Sequence, residues 1–388
     1  MLAQVPRTSW GGIADGQFRP DGYFRVGRQG GVFWLVDPDG GRFLSKGVNT
    51  VRFDQDRIQN SERIPYAETC RRKYGGHEAW RRAAAARLAG WGVNTLGSWS
   101  DEAVADAGPA PLAVTPNLDL GMSFAWDRKQ HFPDVFDPEF ERHVQLRARE
   151  LCAARREEWN IIGWFIDNEL RWGADWRGPE DMHALFLKLP AASPGHCAAI
   201  AADPDSFAAL VAERYFALSS AAIKAADPNH LVLGCRFALV PPPGVIEAAA
   251  RHADVISFNC YEFDPVGAIE AYAAAGKPCL IGEFSFRSAD SGLPNTNGAG
   301  PLVATQVERA ASFRRYVMAA LNKPTVVGFH WFEFADQPAE GRFDGENSNF
   351  GTVTIDDDVY EELTRAMTAV NAAAEQVHAG AAASVVSA

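Results

Sequence analysis

The 388-residue sequence is short of sulfur, of positive charge and of long apolar runs. Its six cysteines, Cys70, Cys152, Cys197, Cys235, Cys260 and Cys279, lie far apart and form no CxxC pair. That excludes the common redox and zinc-ligand spacings, and six buried thiols are expected rather than a disulfide framework. Lys and Arg total 37 against 49 Asp and Glu, a formal net charge of -12. This balance argues against a nucleic-acid partner and against heavily sulfated polymers. No apolar stretch approaches the roughly 18 residues that a membrane helix needs, so no membrane partner is expected. The opening MLAQVPRTSWGGIADGQ has neither a basic start nor an apolar core, which reads as no signal peptide and a cytoplasmic chain. HExxH, GxSxG, P-loop and GxGxxG patterns are all missing, removing zinc peptidase, α/β-hydrolase, nucleotidase and dinucleotide-binding readings. The nine histidines are scattered, and neither a metal nor a cofactor is expected.

What is present is a globular composition, 47% hydrophobic and 22% charged, with a marked aromatic content of 11 Trp and 24 Phe. Short β-rich runs alternate with longer Ala-rich amphipathic ones. GVFWLVDPDGGRFLSKGVNTV reads as a hairpin, Val32 to Phe43, whose second arm leads into a strand ending near Asn49. The series continues with a helix at His77 to Gly90, strands at Val93 to Trp99 and Leu112 to Leu120, and a long helix that Asp137 and Pro138 open. IIGWFIDNE (Ile161 to Glu169) is a nearly unbroken apolar strand, as expected of one buried on both faces. Then come a helix near Asp205 to Ala226, the strand HLVLGCRFA, a short helix near Val245 to His252, VISFNCY, and a helix to Ala275. PCLIGEF, a helix at Gln306 to Leu321, TVVGFHWF and a last helix near Val359 to Ala373 complete eight β/α repeats. The expectation is an α/β protein, a (β/α)8 TIM barrel with an N-terminal β-hairpin cap. Its parts would be an N-terminal extension over 1–30, one catalytic barrel over 31–374 and a flexible tail over 375–388.

In such barrels the working residues sit at the C-terminal ends of strands and in the loops beyond them. The fourth repeat's strand ends Asp167-Asn168-Glu169 and the seventh's ends Gly282-Glu283-Phe284. A carboxylate closing an apolar strand is costly unless it faces a polar cavity or is paired. Two such residues facing across one mouth suit glycoside hydrolysis, one as nucleophile and one as general acid. An ordinary strand-end ion pair is the structural alternative for each.

The Asn-Glu pair and the later Glu resemble the clan A retaining glycoside hydrolases. FIDNELRWG, IGEFSF and above all GFHWFEFADQPAEGRFDGENSNFG are similar to glycoside hydrolase family 50, the β-agarases. The likeness spans roughly Phe33 to Leu363. It implies Glu169 as acid/base, Glu283 as nucleophile and Asn168 on the sugar 2-hydroxyl. It further implies Tyr261 hydrogen-bonded to Glu283, and Trp331 as the sugar platform with His330 close by. Asn49 is a further polar candidate, and His330 could equally be a buried structural histidine. Trp99, Trp126, Trp172, Trp176 and Trp331 fall on the expected mouth, where indole faces can stack on pyranose rings, although Trp172 and Trp176 could instead fill their own loop. Long connections follow the fourth and seventh strands, and the last carries Asp336, Glu346 and Asn347 for hydroxyl contacts. Agarases of this family are typically secreted and larger, and tend to carry a His and a Gly where this chain has Ser285-Phe286-Arg287. The expected substrate is therefore a soluble β-linked, galactose-containing oligosaccharide. Hydrolysis leads, with transglycosylation or an inactive saccharide-binding barrel as alternatives.

Overall fold

The computed structural model describes residues 6–381. Its N-terminal part is a three-stranded antiparallel sheet, β1 (Arg25–Gln29), β2 (Val32–Val36) and β3 (Arg42–Phe43). The Pro-Asp-Gly turn between β2 and β3 is as the sequence predicts. β1 was not expected: it pairs along its whole length with β2, from Arg25 opposite Val36 to Gln29 opposite Val32.

The parallel strands follow. β4 (Ser45–Val48), β5 (Thr95–Leu96) and β6 (Ala113–Val114) pair in order, and a parallel bridge from Val114 to Ile161 leads on to β7 (Gly163–Trp164). β7 pairs with β8 (Leu231–Val232), and a Phe237–Phe258 bridge reaches β9 (Ile256–Asn259). β10 (Cys279–Phe284) pairs with β9, and a small pair, β11 (Arg287–Ser288) with β12 (Leu302–Val303), follows it in the chain. β13 (Val326–Trp331) lies between β10 and β4. Every one of these contacts is parallel, and the series returns to the strand on which it began. Such strands are buried on both faces, which explains why all six residues of β10 and of β13 are buried.

Helices fill the connections: α1 (Pro65–Tyr74), α2 (His77–Gly90), α3 (Leu120–Asp127) and α4 (Pro138–Cys152) in the first half. Then come α5 (Met182–Leu187), α6 (Pro194–Ala201), α7 (Pro204–Ala226), α8 (Pro243–His252), α9 (Val266–Ala273), α10 (Gln306–Leu321) and α11 (Glu361–Ala379). Asp137 caps α4 through the Glu139 amide with Pro138 in the first turn, as its sequence signals. The connection after β7, read as one long loop, holds α5 and α6. The Asp181 and Ser193 side chains cap them, and Pro194 opens the second.

α11 runs to Ala379, past the expected end at Ala373. Glu375 there accepts a 2.6 Å ion pair from buried Lys46 on β4, and His378 bonds the carbonyls of Leu321 and Phe33. Those tertiary contacts, invisible in the local pattern, hold the extra turns; residues 382–388 of the expected tail lie outside the described residues. All six cysteines are free, and five are buried; Cys197 on α6 is exposed, a correction to the expectation of six buried thiols. Among the described residues no helix is long and apolar enough to cross a membrane.

Candidate active site

Five residues just past successive parallel strands take left-handed backbone angles: Thr50 (φ 55), Trp99 (φ 62), Asp119 (φ 49), Glu169 (φ 52) and Arg236 (φ 51). Non-glycine residues visit this region at a cost of about 1–3 kcal/mol each and persist where surrounding structure dictates it. Here it turns the chain sharply at one end of the strands, aiming Glu169 and Arg236 inward.

Glu283 and Glu169 meet at that end in unequal surroundings. Glu283 is 4% exposed. One of its oxygens accepts from Arg236 Nη2 at 2.7 Å and the other from the Tyr261 hydroxyl at 2.5 Å. Burial holds its carboxyl above the usual range, and the Arg236 charge and then the Tyr261 hydrogen bond oppose that rise without cancelling it. Among the described residues Glu169 has a single, neutral donor, Asn259 Nδ2 at 2.8 Å. As a residue it is partly exposed, but its carboxyl is enclosed. Burial first, and the Glu283 charge second, push it up to about 7. Asn259 lies opposite Glu283 in the β9–β10 register, and its side chain bonds Glu169. Two interacting acids in this arrangement lose their first proton at the site with the better cationic support, which is Glu283. Between the two proton losses the carboxylate is therefore Glu283 and the remaining proton is on Glu169.

Asn168 joins them: its Oδ1 accepts from the same Asn259 amide at 3.2 Å. Tyr261, two residues past β9, is the hydroxyl donor to Glu283. Trp99, 37% exposed, carries the Arg236 guanidinium 4.7 Å from its ring centre and so borders the site. Asn49 is fully buried. Its Nδ2 donates to the carbonyls of Gly282 (2.9 Å) and Trp331 (3.2 Å), which ties three strand ends together rather than facing a ligand.

Other expected contacts are placed elsewhere. Trp331 is 1% exposed, its Nε1 donates to the Phe350 carbonyl at 2.9 Å, and it packs edge-on against Phe284. With no free ring face it is a core residue, not the platform the resemblance implied. His330 is buried and within 2.8 Å of the Ser45 hydroxyl, and burial followed by the Arg236 charge pushes its ring down to about 3. A Cβ at Gly47 would stand 2.3 Å from that ring, so the close β4–β13 contact demands glycine there. Trp172 lies flat on Phe216, ring centres 5.6 Å apart, in the core of its loop. Trp176 and Trp126 are well exposed, Trp176 carrying Arg177 over its ring at 4.6 Å.

In the last connection Asp336 is buried and accepts from Asn349 Nδ2, the Gly351 amide and the Tyr360 hydroxyl, which makes it a loop brace. Asn347 Oδ1 caps the Thr296 and Asn297 amides. Glu346 pairs with Arg342 at 2.8 Å, near enough for its charge to bear on Glu283 and Tyr261.

Arg236, Asn259 and Glu333 were not singled out by sequence reading. Arg236 is wholly buried and also donates to the Gly282 carbonyl at 3.0 Å; a Cβ at Gly282 would come within 2.9 Å of its Nε. The available signal was the one that marked the glutamates, a charge closing the apolar run HLVLGCRFA. Glu333 follows β13 and is fully buried, with neither carboxyl oxygen hydrogen-bonded. Arg342 Nη1 stands 3.9 Å from it and from Asp56, and burial, then Asp56, raises the Glu333 carboxyl well above its usual range. Among the described residues no group of three or more His, Cys, Asp or Glu is arranged to hold a metal ion.

No family model matches the chain. It is similar to Beta-agarase A of Vibrio sp. (strain JT0107), 30% identical across 87% of this chain and 44% of that protein. Beta-agarase B of the same organism is 27% identical across 94% of this chain and 50% of its own length. The chain therefore spans about half the length, or less, of the curated relatives it matches. Among solved structures, an agarase, AgWH50C, superposes with a TM-score of 0.79 at 28% identity, covering 96% of this chain and 66% of that one.

Proposed function

We propose, on that likeness to β-agarases, that this chain is a glycoside hydrolase of the β-agarase type. The substrate would be a β-linked, galactose-containing oligosaccharide. We read the returning series of parallel strands as a (β/α)8 barrel capped by the N-terminal antiparallel sheet, with the mouth at the Glu169–Glu283 end. The observation that carries the reading is the asymmetry of the two carboxyls. Glu283, supported by Arg236 and Tyr261, is suited to be the ionised nucleophile; Glu169, held near 7, is suited to protonate the departing oxygen.

In this mechanism Glu283 attacks the anomeric carbon while Glu169 gives its proton to the leaving oxygen. Glu169, now a base, then takes a proton from the water that releases the sugar from Glu283, so configuration is retained. Asn168 and Asn259 lie beside the acid, where an amide can hold the hydroxyl next to the reacting carbon. Tyr261 and Arg236 fix the nucleophile and spread its charge. Transfer to a second sugar instead of water would use the same groups.

The test is Glu283→Ala with an aryl β-galactoside that has a good leaving group. Hydrolysis should fall below detection, and added azide should restore turnover with an inverted glycosyl azide product. Full residual activity in Glu283→Ala, or an inverted azide product from Glu169→Ala and none from Glu283→Ala, would overturn the assignment.

A further inference from the structure

A chain of polar side chains crosses β5, β4 and β13, and its hydrogen bonds run one way. Asn94, just before β5, donates from Nδ2 to the Leu44 carbonyl at 2.9 Å, so its Oδ1 can only accept. That oxygen takes the Lys46 amide at 2.8 Å and the Thr95 hydroxyl at 3.0 Å. Thr95 has then spent its proton, and its oxygen accepts from Ser45 Oγ at 2.9 Å. Ser45 has spent its own proton too, so the 2.8 Å bond to His330 Nε2 is donated by the ring. The chain thus fixes His330 as the Nε2–H tautomer with a bare lone pair on Nδ1. Ser45, Thr95 and His330 are fully buried, which keeps water from reversing the order.

Nδ1 is buried and has no hydrogen-bond partner among the described residues. The Cγ, Cδ2 and Nε2 edge of the ring lies against Gly47, where a Cβ would stand 2.3 Å from Cδ2, so Nδ1 is on the edge turned away from β4. The Arg236 guanidinium has the complementary lack. Its Nη2 donates to Glu283 and Gly282, while Nε and Nη1 are buried without a partner among the described residues. Nε faces Asn259, since it and Asn259 Oδ1 both lie within 2.9 Å of the point a Gly282 Cβ would occupy. That leaves Nη1. The Arg236 charge reaches the His330 ring and, after burial, keeps it neutral. Buried polar groups are paired in the great majority of native structures, and a bare nitrogen and a free N–H answer each other.

We propose that His330 is a positioning residue for the nucleophile, presenting its bare Nδ1 to the Nη1 side of Arg236 and so steadying Nη2 on Glu283; this rests on the reading of Glu283 above. Asn94, Thr95 and Ser45 set the tautomer that makes this possible. A ring carrying its proton on Nδ1 would turn a donor on the cation and push it away. The other charged and titratable groups facing Arg236 and Glu283 are Glu169 beyond β7, Asp119 beyond β6, Tyr261 beyond β9, and Arg342 with Glu346 beyond β13.

Two measurements test this. In protein carrying 15N-labelled histidine, the His330 ring is assigned by its absence from His330→Asn. It should be neutral with its proton on Nε2 between about pH 5 and 8; a proton on Nδ1 or a charged ring overturns the proposal. The second measurement is the pH dependence of kcat/KM on 4-nitrophenyl β-galactoside. His330→Phe keeps a flat ring without nitrogens, and its acidic limb should move up by about one pH unit, a roughly tenfold loss below the limb. His330→Asn, whose Oδ1 stands in for Nδ1, should recover most of that shift. A limb unmoved in His330→Phe, or moved as far in His330→Asn, overturns the positioning role, because lost packing alone lowers stability and leaves the limb in place. Wild-type inactivity on the galactoside counts instead against the glycosidase reading. The titration of Glu283, followed by carboxyl 13C NMR in the same proteins, then decides the role of His330 by the same shifts.

Discussion

Replacing Arg236 by Met keeps most of the side-chain volume and removes the one cation among the described residues that is hydrogen-bonded to Glu283. The pair is buried, at 2.7 Å, with the guanidinium wholly inaccessible. Breaking a buried pair by removing one partner costs about 3–5 kcal/mol, much of it the stranded charge. Glu283 can avoid that cost by staying protonated. At about 1.4 kcal/mol per pKa unit, its titration should then move up by about 2–4 units. Ionised Glu283 at a given pH below the new value falls by about 10²- to 10⁴-fold, and under the proposed mechanism kcat/KM falls with it. A second effect follows from the coupling. The Glu283 charge raises Glu169 more than the Arg236 charge lowers it, so losing both lets Glu169 give up its proton earlier, and the basic limb moves down. The bell-shaped dependence of kcat/KM on pH, measured from pH 4 to 9 on an aryl galactoside, should therefore narrow from both sides. Arg236→Lys, which restores a charge on a shorter side chain without the Nη2 that donates to both Gly282 and Glu283, should lie between the two. An Arg236→Met enzyme whose acidic limb coincides with that of wild type would refute the argument.

Tyr261→Phe removes one hydrogen bond to the same carboxylate, worth about 1.5–3 kcal/mol for a charged acceptor; kcat/KM should fall about 10- to 100-fold with the acidic limb shifted up, while the urea midpoint changes little. Gly47→Ala drives a methyl to 2.3 Å from the His330 ring between two buried strands, and the urea midpoint should drop by an amount equal to about 1–3 kcal/mol or more. Glu333 is kept protonated by burial and Asp56, so its raised pKa means that the folded chain holds a proton the unfolded one gives up. Its contribution is complete below the unfolded pKa of about 4.3 and is lost as pH rises toward the folded value, with a slope of up to about 1.4 kcal/mol per pH unit. Glu333→Gln should flatten the loss of stability between pH 5 and 8, and equal slopes in variant and wild type would count against a protonated Glu333.

The order of elements was legible in the sequence because it is written in short-range chemistry. Apolar runs buried on both faces mark β10 and β13, and Asp137-Pro138 starts α4 wherever the chain goes next. The charge-after-apolar-run pattern found Glu169 and Glu283, and applied without preference it would have found Arg236 too. Asn259 left no such mark, since an Asn at a strand end is unremarkable until its amide meets Glu169.

Tertiary structure alone decided which groups share an environment. Trp331 and Trp99 both end strands in sequence, yet one is walled in by Phe284, Phe313 and the Phe350 carbonyl while the other turns outward at positive φ beside Arg236. The last turns of α11 exist because Lys46, some three hundred residues earlier, needs Glu375. A residue's type and its near neighbours set which local structure it favours and which chemistry it can perform. Its pKa, its exposure and its partners depend on dielectric and distance, which only the folded chain fixes. For the same reason the two glutamates, alike as letters, become a carboxylate and a carboxylic acid only once Arg236 and Tyr261 close on one of them.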